Sequence, residues 1–245
     1  MAAGLVTALG IVSVSMEKRV AEEIKRYGAT LVITPQTARM DVGSGGLNFG
    51  IVADPVYLDQ DAIVRLLVRR TDVVADYSLH LQGVLSCKGV DIPVEGVDFA
   101  RIRRIFPWWQ VRGGWPASEE ALIGADLAAR LVLRPGESVM LRGAGGELTL
   151  KAVGIVTTGG DEDKLLFIEI GLLQRLLGLD RQLTEARLLA RSGKVKLEQA
   201  AASLQGGIPS GQVREVRQVA RTSEALLRKV QFLMLLVTLV VALSA

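Results

Sequence analysis

Histidine, cysteine and clustered carboxylates are the side chains most able to bind metals or act as bases, and this sequence holds few of them. His80 is the only histidine and Cys87 the only cysteine in 245 residues. A metal centre needs several such ligands, and a nucleophile needs a base beside it. His80 falls on the polar side of an alternating strand with no second histidine or cysteine as partner, so no catalytic or metal-binding role is expected of it. Cys87 falls in a turn and reads as structural. Asp161, Glu162 and Asp163 offer oxygens suited to a hard cation. They lack the longer spacing and distant glutamate of an EF-hand, so the run reads as a solvated loop. Gly143-Ala144-Gly145-Gly146 lacks the Gly-Lys-Ser/Thr that cradles phosphate and reads as a hairpin turn. ATP chemistry is then left to another chain. No catalytic residue, cofactor or metal is expected. Trp108, Trp109 and Trp115 are all the tryptophans, and Pro107 and Pro116 flank them. They read as packing, or as a surface for a partner or cargo, where tryptophan is enriched.

The elements that carry these residues alternate between helix and strand. Residues 16–28 have helical periodicity, with Val20, Ile24 and Tyr27 on one face and Gly28 as a stop. A short strand follows at 29–34, then a loop over 36–55. Residues 59–70 read as a helix with Ala62, Ile63, Leu66 and Leu67 on one side. Tyr77, Leu79, Leu81 and Leu85 alternate with Ser78, His80 and Gln82, a strand pattern. Residues 86–89 turn the chain into a second strand, Val90, Ile92 and Val94, where Pro93 marks an edge or a bulge. Residues 106–116 read as irregular and aromatic. A strand at 120–124, a helix at 125–133 and a type II turn at 134–137 come next. Strands are expected at 138–141, 147–156, 165–168, 185–190 and 212–219, and helices at 171–177 and 194–204. Residues 157–164 read as a polar loop.

Both ends of the chain are apolar. Residues 1–15 and 232–245 carry no charge. Each run is shorter than the roughly 20 residues that span a bilayer. Three readings fit the ends: a cut transmembrane helix, a buried helix or a signal-peptide remnant. The first is preferred, because a soluble domain should not carry its most apolar segments at its free ends, where chains fray; the third lacks a basic segment before Ala2, and Val-Ser-Val-Ser-Met is a poor cleavage site. Helices flank both runs without a breaker, so each is expected to form a continuous rod with its neighbour. Lys18, Arg19, Lys25 and Arg26, with Arg214, Arg217, Arg221, Arg228 and Lys229, would place the domain in the cytoplasm by the positive-inside rule. That rule is weak for long translocated segments. The net charge of +3 is spread along the chain. No basic cluster with interleaved aromatics suggests nucleic acid.

Four segments together resemble a known family. They are EEIKRYGATLVITP, EALIGADLAARLVLRPGESVML, LTLKAVGIVTTGG and LLFIEIGLLQRLLGL. In them the chain resembles the extracytoplasmic, MacB-like core domain of FtsX/MacB-like ABC transporter permeases, a group that includes the lipoprotein-releasing permeases. The resemblance implies four transmembrane helices per permease with this domain between the first two, a permease dimer, and a separate or fused ATPase. The expected fold is α+β and two-lobed. Residues 1–28 would be the end of the first transmembrane helix and a stalk. Residues 29–220 would be the extracytoplasmic domain, with a smaller, mainly β lobe inserted at about 95–166. Residues 221–245 would be a stalk and the start of the second helix. The third and fourth helices and the cytoplasmic loop that meets the ATPase would be missing. The implied function is to couple ATP-driven motion of a partner ATPase to export or release of a cargo outside the cytoplasmic membrane. One alternative is a membrane-anchored adaptor that binds and regulates an envelope enzyme or accessory protein. Another is a soluble enzyme with buried terminal helices, for which no convergent polar pocket can be assembled. Expected partners are the ATPase, a second permease, the membrane, and an envelope protein or lipophilic cargo. Trp108, Trp109 and Trp115 are the candidate contact residues.

Overall fold

Strand alternation sets the architecture. The computed structural model describes residues 30–36, 56–191 and 197–216. β1 (Leu31–Pro35) and β2 (Leu58–Asp59) precede α1 (Gln60–Arg69), whose first turn is capped by the Asp59 carboxylate accepting from the Ala62 amide at 2.8 Å. Ile63 and Leu67 are its buried face. β3 (Val74–Cys87) and β4 (Val90–Val97) form a hairpin. Its two turn residues, Lys88 and Gly89, have φ of 50° and 77°, as a tight type I′ turn requires. Then come α2 (Phe99–Ile105), β5 (Gln110–Gly113), β6 (Glu120–Gly124), α3 (Ala125–Leu131), β7 (Ser138–Gly143) and β8 (Gly146–Thr157). A 3-10 turn (Asp161–Lys164), β9 (Leu166–Glu169), α4 (Ile170–Leu177), β10 (Gln182–Leu183), β11 (Glu185–Ala190), α5 (Leu197–Gln205) and β12 (Gly211–Glu215) complete the order.

Ten strands form one sheet, and β2 pairs separately with β10. β3 changes partner midway. Val74 to His80 pair with β11, and Leu81 to Cys87 pair with β4. Beyond that point the pairings close a ring: β3–β4, β4–β9, β9–β6, β6–β8, β8–β7 and β7–β3. Closure removes free edges. Leu85, Ile92, Val94, Ala121, Ile123, Val139, Leu141, Leu150 and Ile168 are buried in one cluster, to which the ring strands all contribute. β9 reaches β4 only from Val94 onward, so Pro93 lies where no partner needs its missing N–H, as expected of an edge proline.

A second cluster covers other residues of the same strands. Val97, Leu122, Val156 and Phe167 pack with Phe99, Ile102 and Ile105 of α2 and with Phe106 and Trp109. Burial on both faces explains why β6 and β9 read as unbroken apolar runs. The side of β3 that carries Ser78 and His80 is buried, at 0% and 1% exposed. Two sequence expectations are corrected here. Segment 106–116 is not wholly irregular, since it contains β5. Cys87 is not in a turn but ends β3, fully buried. Helix α2 had no counterpart in the expected elements. The turn at 134–137 has Gly136 at φ 98°, as type II demands. Among the described residues no helix is long and apolar enough to cross a membrane. Both terminal apolar runs and their flanking helices lie outside the described residues.

Candidate functional site

Where β3 changes partner, polar side chains of β3, β4 and β11 converge. His80 sits opposite Glu185 on β11, while Gln82 sits opposite Glu95 on β4. Ser78 and His80 are two apart and share one side of the strand. The His80 Nδ1 lies 2.7 Å from Glu95 Oε1, and its Nε2 lies 2.7 Å from Ser78 Oγ. Arg187 completes the cluster, with its guanidinium 2.6 Å from Glu185, 3.8 Å from Glu95 and 3.9 Å from Glu162. Phe106 closes it from outside, edge-on to His80 at 6.2 Å and beneath Arg187 at 5.8 Å.

Serine, imidazole and carboxylate in this order can activate a hydroxyl. Here Ser78 is fully buried on a regular strand, where no substrate reaches it. The ligand atoms of His80, Glu95 and Glu185 lie within 4.8 Å of one another, as a metal site would need. Arg187 already supplies the positive charge, and His80 already holds Glu95. Every buried side-chain nitrogen and oxygen among the described residues has a hydrogen-bond partner. The donor set is satisfied without an ion, and the cluster is a network tying β3, β4 and β11 together. Burial opposes the charge on Glu95. The hydrogen bond and charge of His80, with Arg187, outweigh it and hold the carboxyl below its ordinary range. Burial likewise opposes the charge on Arg187, and Glu95, Glu185 and Glu162 reverse the effect.

The three tryptophans divide. Trp109 is 7% exposed, stacked on Phe106 at 6.0 Å and against Phe167 at 4.9 Å. Trp108 is half-buried, edge-on to Phe106 at 5.2 Å. Trp115 is half-buried with the Arg103 guanidinium 5.4 Å from its ring centre. Thus Trp109 is held in the core, while Trp108 and Trp115 keep partly exposed faces. The acidic run does not converge on a point. Asp163 is buried and accepts from the Thr158 and Gly159 amides at 2.6 and 3.1 Å, whereas Asp161 pairs with Lys164 at 2.7 Å. Burial raises the Cys87 thiol above its usual range, which makes it unreactive. The Gly143–Gly146 run forms the β7–β8 turn, and the Gly145 amide donates to Leu176 O at 2.8 Å. A side chain at Gly143 or Gly145 would collide with that α4 backbone.

Sequence reasoning missed Ser78, Glu95 and Arg187. A usable signal existed for the cover over them. Asp98 followed by Phe99, Ile102 and Ile105 has an N-cap and an i, i+3 apolar stripe. In the structure the Asp98 carboxylate accepts from the Ala100 and Arg101 amides at 2.9 and 3.2 Å.

Comparison with known proteins gives a consistent picture. A family model described as the MacB-like periplasmic core domain matches residues 1–206. Among solved structures, the periplasmic region of MacB from Actinobacillus actinomycetemcomitans aligns with a TM-score of 0.55 at 11% identity, covering 84% of this chain and 98% of its own. The extracellular domain of the noncanonic ABC-type transporter YknZ from Gram-positive bacteria aligns with a TM-score of 0.52 at 14% identity, covering 76% and 98%. At these identities the likeness to both structures is one of fold. No curated protein sequence matches.

Proposed function

This chain belongs to the MacB-like periplasmic core domain family, and from that membership we propose that it is the extracytoplasmic domain of an ABC-type transporter permease. The family match over residues 1–206 carries the reading. The α+β fold shared with two transporter regions supports it. Residues 29–220 are then the domain, and 1–28 and 221–245 are stalks running into the first two transmembrane helices. Residues Ala29–Glu215 form one compact unit, which supports these boundaries. The inserted lobe, at about 95–166, contributes β6, β7 and β8 to the strand ring, and the flanking segments contribute β3, β4 and β9. ATP binding and hydrolysis at a partner ATPase move the helices of a permease dimer. The stalks carry that motion to the domain, which releases or expels a cargo beyond the cytoplasmic membrane. Trp108 and Trp115 border the surface that meets cargo or partner. Trp109 anchors the segment beneath them.

Sidedness is the sharpest test. Met140 is 53% exposed and Cys87, the one cysteine of residues 1–245, is buried, so Met140→Cys adds a reactive thiol here, read against labelling of the parent permease. In the full-length permease in spheroplasts, a membrane-impermeant maleimide should label this variant without lysis. Labelling only after the membrane is permeabilised would place the domain in the cytoplasm and overturn the proposal.

A further inference from the structure

The strand ring leaves β5 outside it. β5 pairs Gln110 to Gly113 with Thr157 to Gly154 of β8 and ends the sheet order, so its other edge meets no strand among the described residues. A groove of about 760 Å³ opens beside it, walled by β5, the end of β8, α3 and the turn that follows α3. Arg112 and Arg134 line it together with Ala128, Ala129, Val132 and Ile155, and no carboxylate residue lines it. Neither guanidinium has an ion-pair partner among the described residues, and both residues are exposed. Arg112 is in register with Ile155 of β8, so the two share one side of the sheet. Val132 ends α3 at φ 53° and is 77% exposed. That backbone conformation is rare for a β-branched residue, and here it leaves an apolar side chain at the groove.

We propose that an extended acidic segment of a partner protein adds as a strand to the edge of β5 that faces away from β8, with carboxylates reaching over β5 into this groove. The chemistry follows from the lining. An unpaired strand edge offers backbone donors and acceptors to an incoming strand. Carboxylates on one side of that strand meet Arg112 and Arg134, and a cross-strand pair of opposite charge favours one register. A free anion or a lipid headgroup would use the two arginines but not the strand edge. The inference rests on the reading that segment 107–116 borders a partner surface, and it names the chemistry of that partner.

The full chain is titrated with a fluorescent ten-residue peptide of alternating Val and Glu. Its Val-Lys analogue is the charge control. A Val-Glu peptide N-methylated at alternate amides keeps the charge but blocks strand pairing. Anisotropy should show saturable binding of the first peptide only. The Kd should rise at least tenfold in Arg112→Gln and in Arg134→Gln, each checked for unchanged thermal unfolding. Hydrogen exchange should slow across Gln110–Gly113 when the peptide is bound. Equal binding of the N-methylated or Val-Lys peptide, or unchanged affinity in both variants, overturns the proposal. So does preference for phosphatidylglycerol vesicles or inorganic phosphate with no slowing at β5. The two readings fail separately. If the peptide does not bind but Trp108→Ala and Trp115→Ala still impair the complete permease, only strand addition falls. If both tryptophan variants leave the permease working normally, the partner-surface reading falls whatever the peptide does.

Discussion

Glu95 keeps its charge with almost no access to water, because His80 and Arg187 stand beside it. Its carboxyl is held below the ordinary value, so the folded state binds that proton less readily than the unfolded chain. The stabilisation is therefore complete above the unfolded value, near 4.3, and is lost as pH falls through the lower, folded value. Asp76, held by Arg104 and Arg101 against the effect of burial, titrates in the same direction. Glu95→Gln should lower stability at neutral pH by about 1–3 kcal/mol, the cost of a poorly matched buried group. Its unfolding temperature should also fall less than that of the parent chain as pH drops below about 5. Thermal melts of both proteins across that range provide the check, and parallel curves would show that Glu95 is not the group responsible. The adjacent tryptophans make an equally sharp residue-scale contrast. Trp109→Ala empties a buried position between Phe106 and Phe167 and should cost about 3–5 kcal/mol. Trp108→Ala removes a half-buried ring, so denaturant unfolding should show a distinctly smaller loss. Equal losses would place both rings in the core and remove Trp108 from the proposed surface.

Two short helices show how local rules and tertiary demands meet. α2 begins at Asp98, whose carboxylate accepts two backbone amides. Asp98→Ala should cost about 1 kcal/mol, and it should loosen Phe106, which follows α2 and packs edge-on to His80. Denaturant unfolding measures the first effect, and faster exchange at the His80 ring in proton NMR measures the second. The single histidine makes that signal unambiguous. α3 ends differently. Its C-cap position needs a left-handed backbone, which glycine supplies at no steric cost and valine does not. Val132 adopts it at φ 53°. Val132→Gly should raise stability by about 1 kcal/mol, the strain relieved, as a higher midpoint in denaturant. A lower midpoint would mean that the valine side chain packs more than its 77% exposure suggests.

At the scale of the whole molecule, the ring of strands and the sheet outside it have unequal protection. β4, β6, β8 and β9 are paired on both edges and buried in two clusters. β12 and β5 each end the sheet order. Native-state hydrogen exchange should find the slowest amides in the ring and markedly faster ones in β5 and β12, because edge strands open without breaking the core. Uniform rates would mean that the sheet unfolds as one unit. The partner switch of β3 at His80 and Leu81 lies between these regions.

How much of this was legible beforehand can be judged from particular residues. Period-two alternation placed β3 and β4, and the Pro135-Gly136 pair fixed a type II turn, because such patterns depend on neighbours a few positions apart. The quoted segments resembled a known family, and the fold agrees with that resemblance. His80 shows where local reasoning stops. Alternation correctly placed it with Ser78 on one side of β3, but the strand says nothing about what covers that side. Phe106, Glu95 and Arg187 come from 15 to 107 positions further along the chain, and only folding brings them to the imidazole. Trp108 and Trp109 are alike in type and adjacent in sequence, so no pattern could say which would be buried. Segment composition likewise could not reveal that β3 returns to β7 and closes a ring. The sequence by itself determined the β3–β4 hairpin, most of the longer strands and the turn at 134–137, which are short-range preferences of the backbone. Tertiary structure alone decided which polar side chains share a dry interior and which strands end the sheet among the described residues, because both depend on packing between segments far apart in the chain.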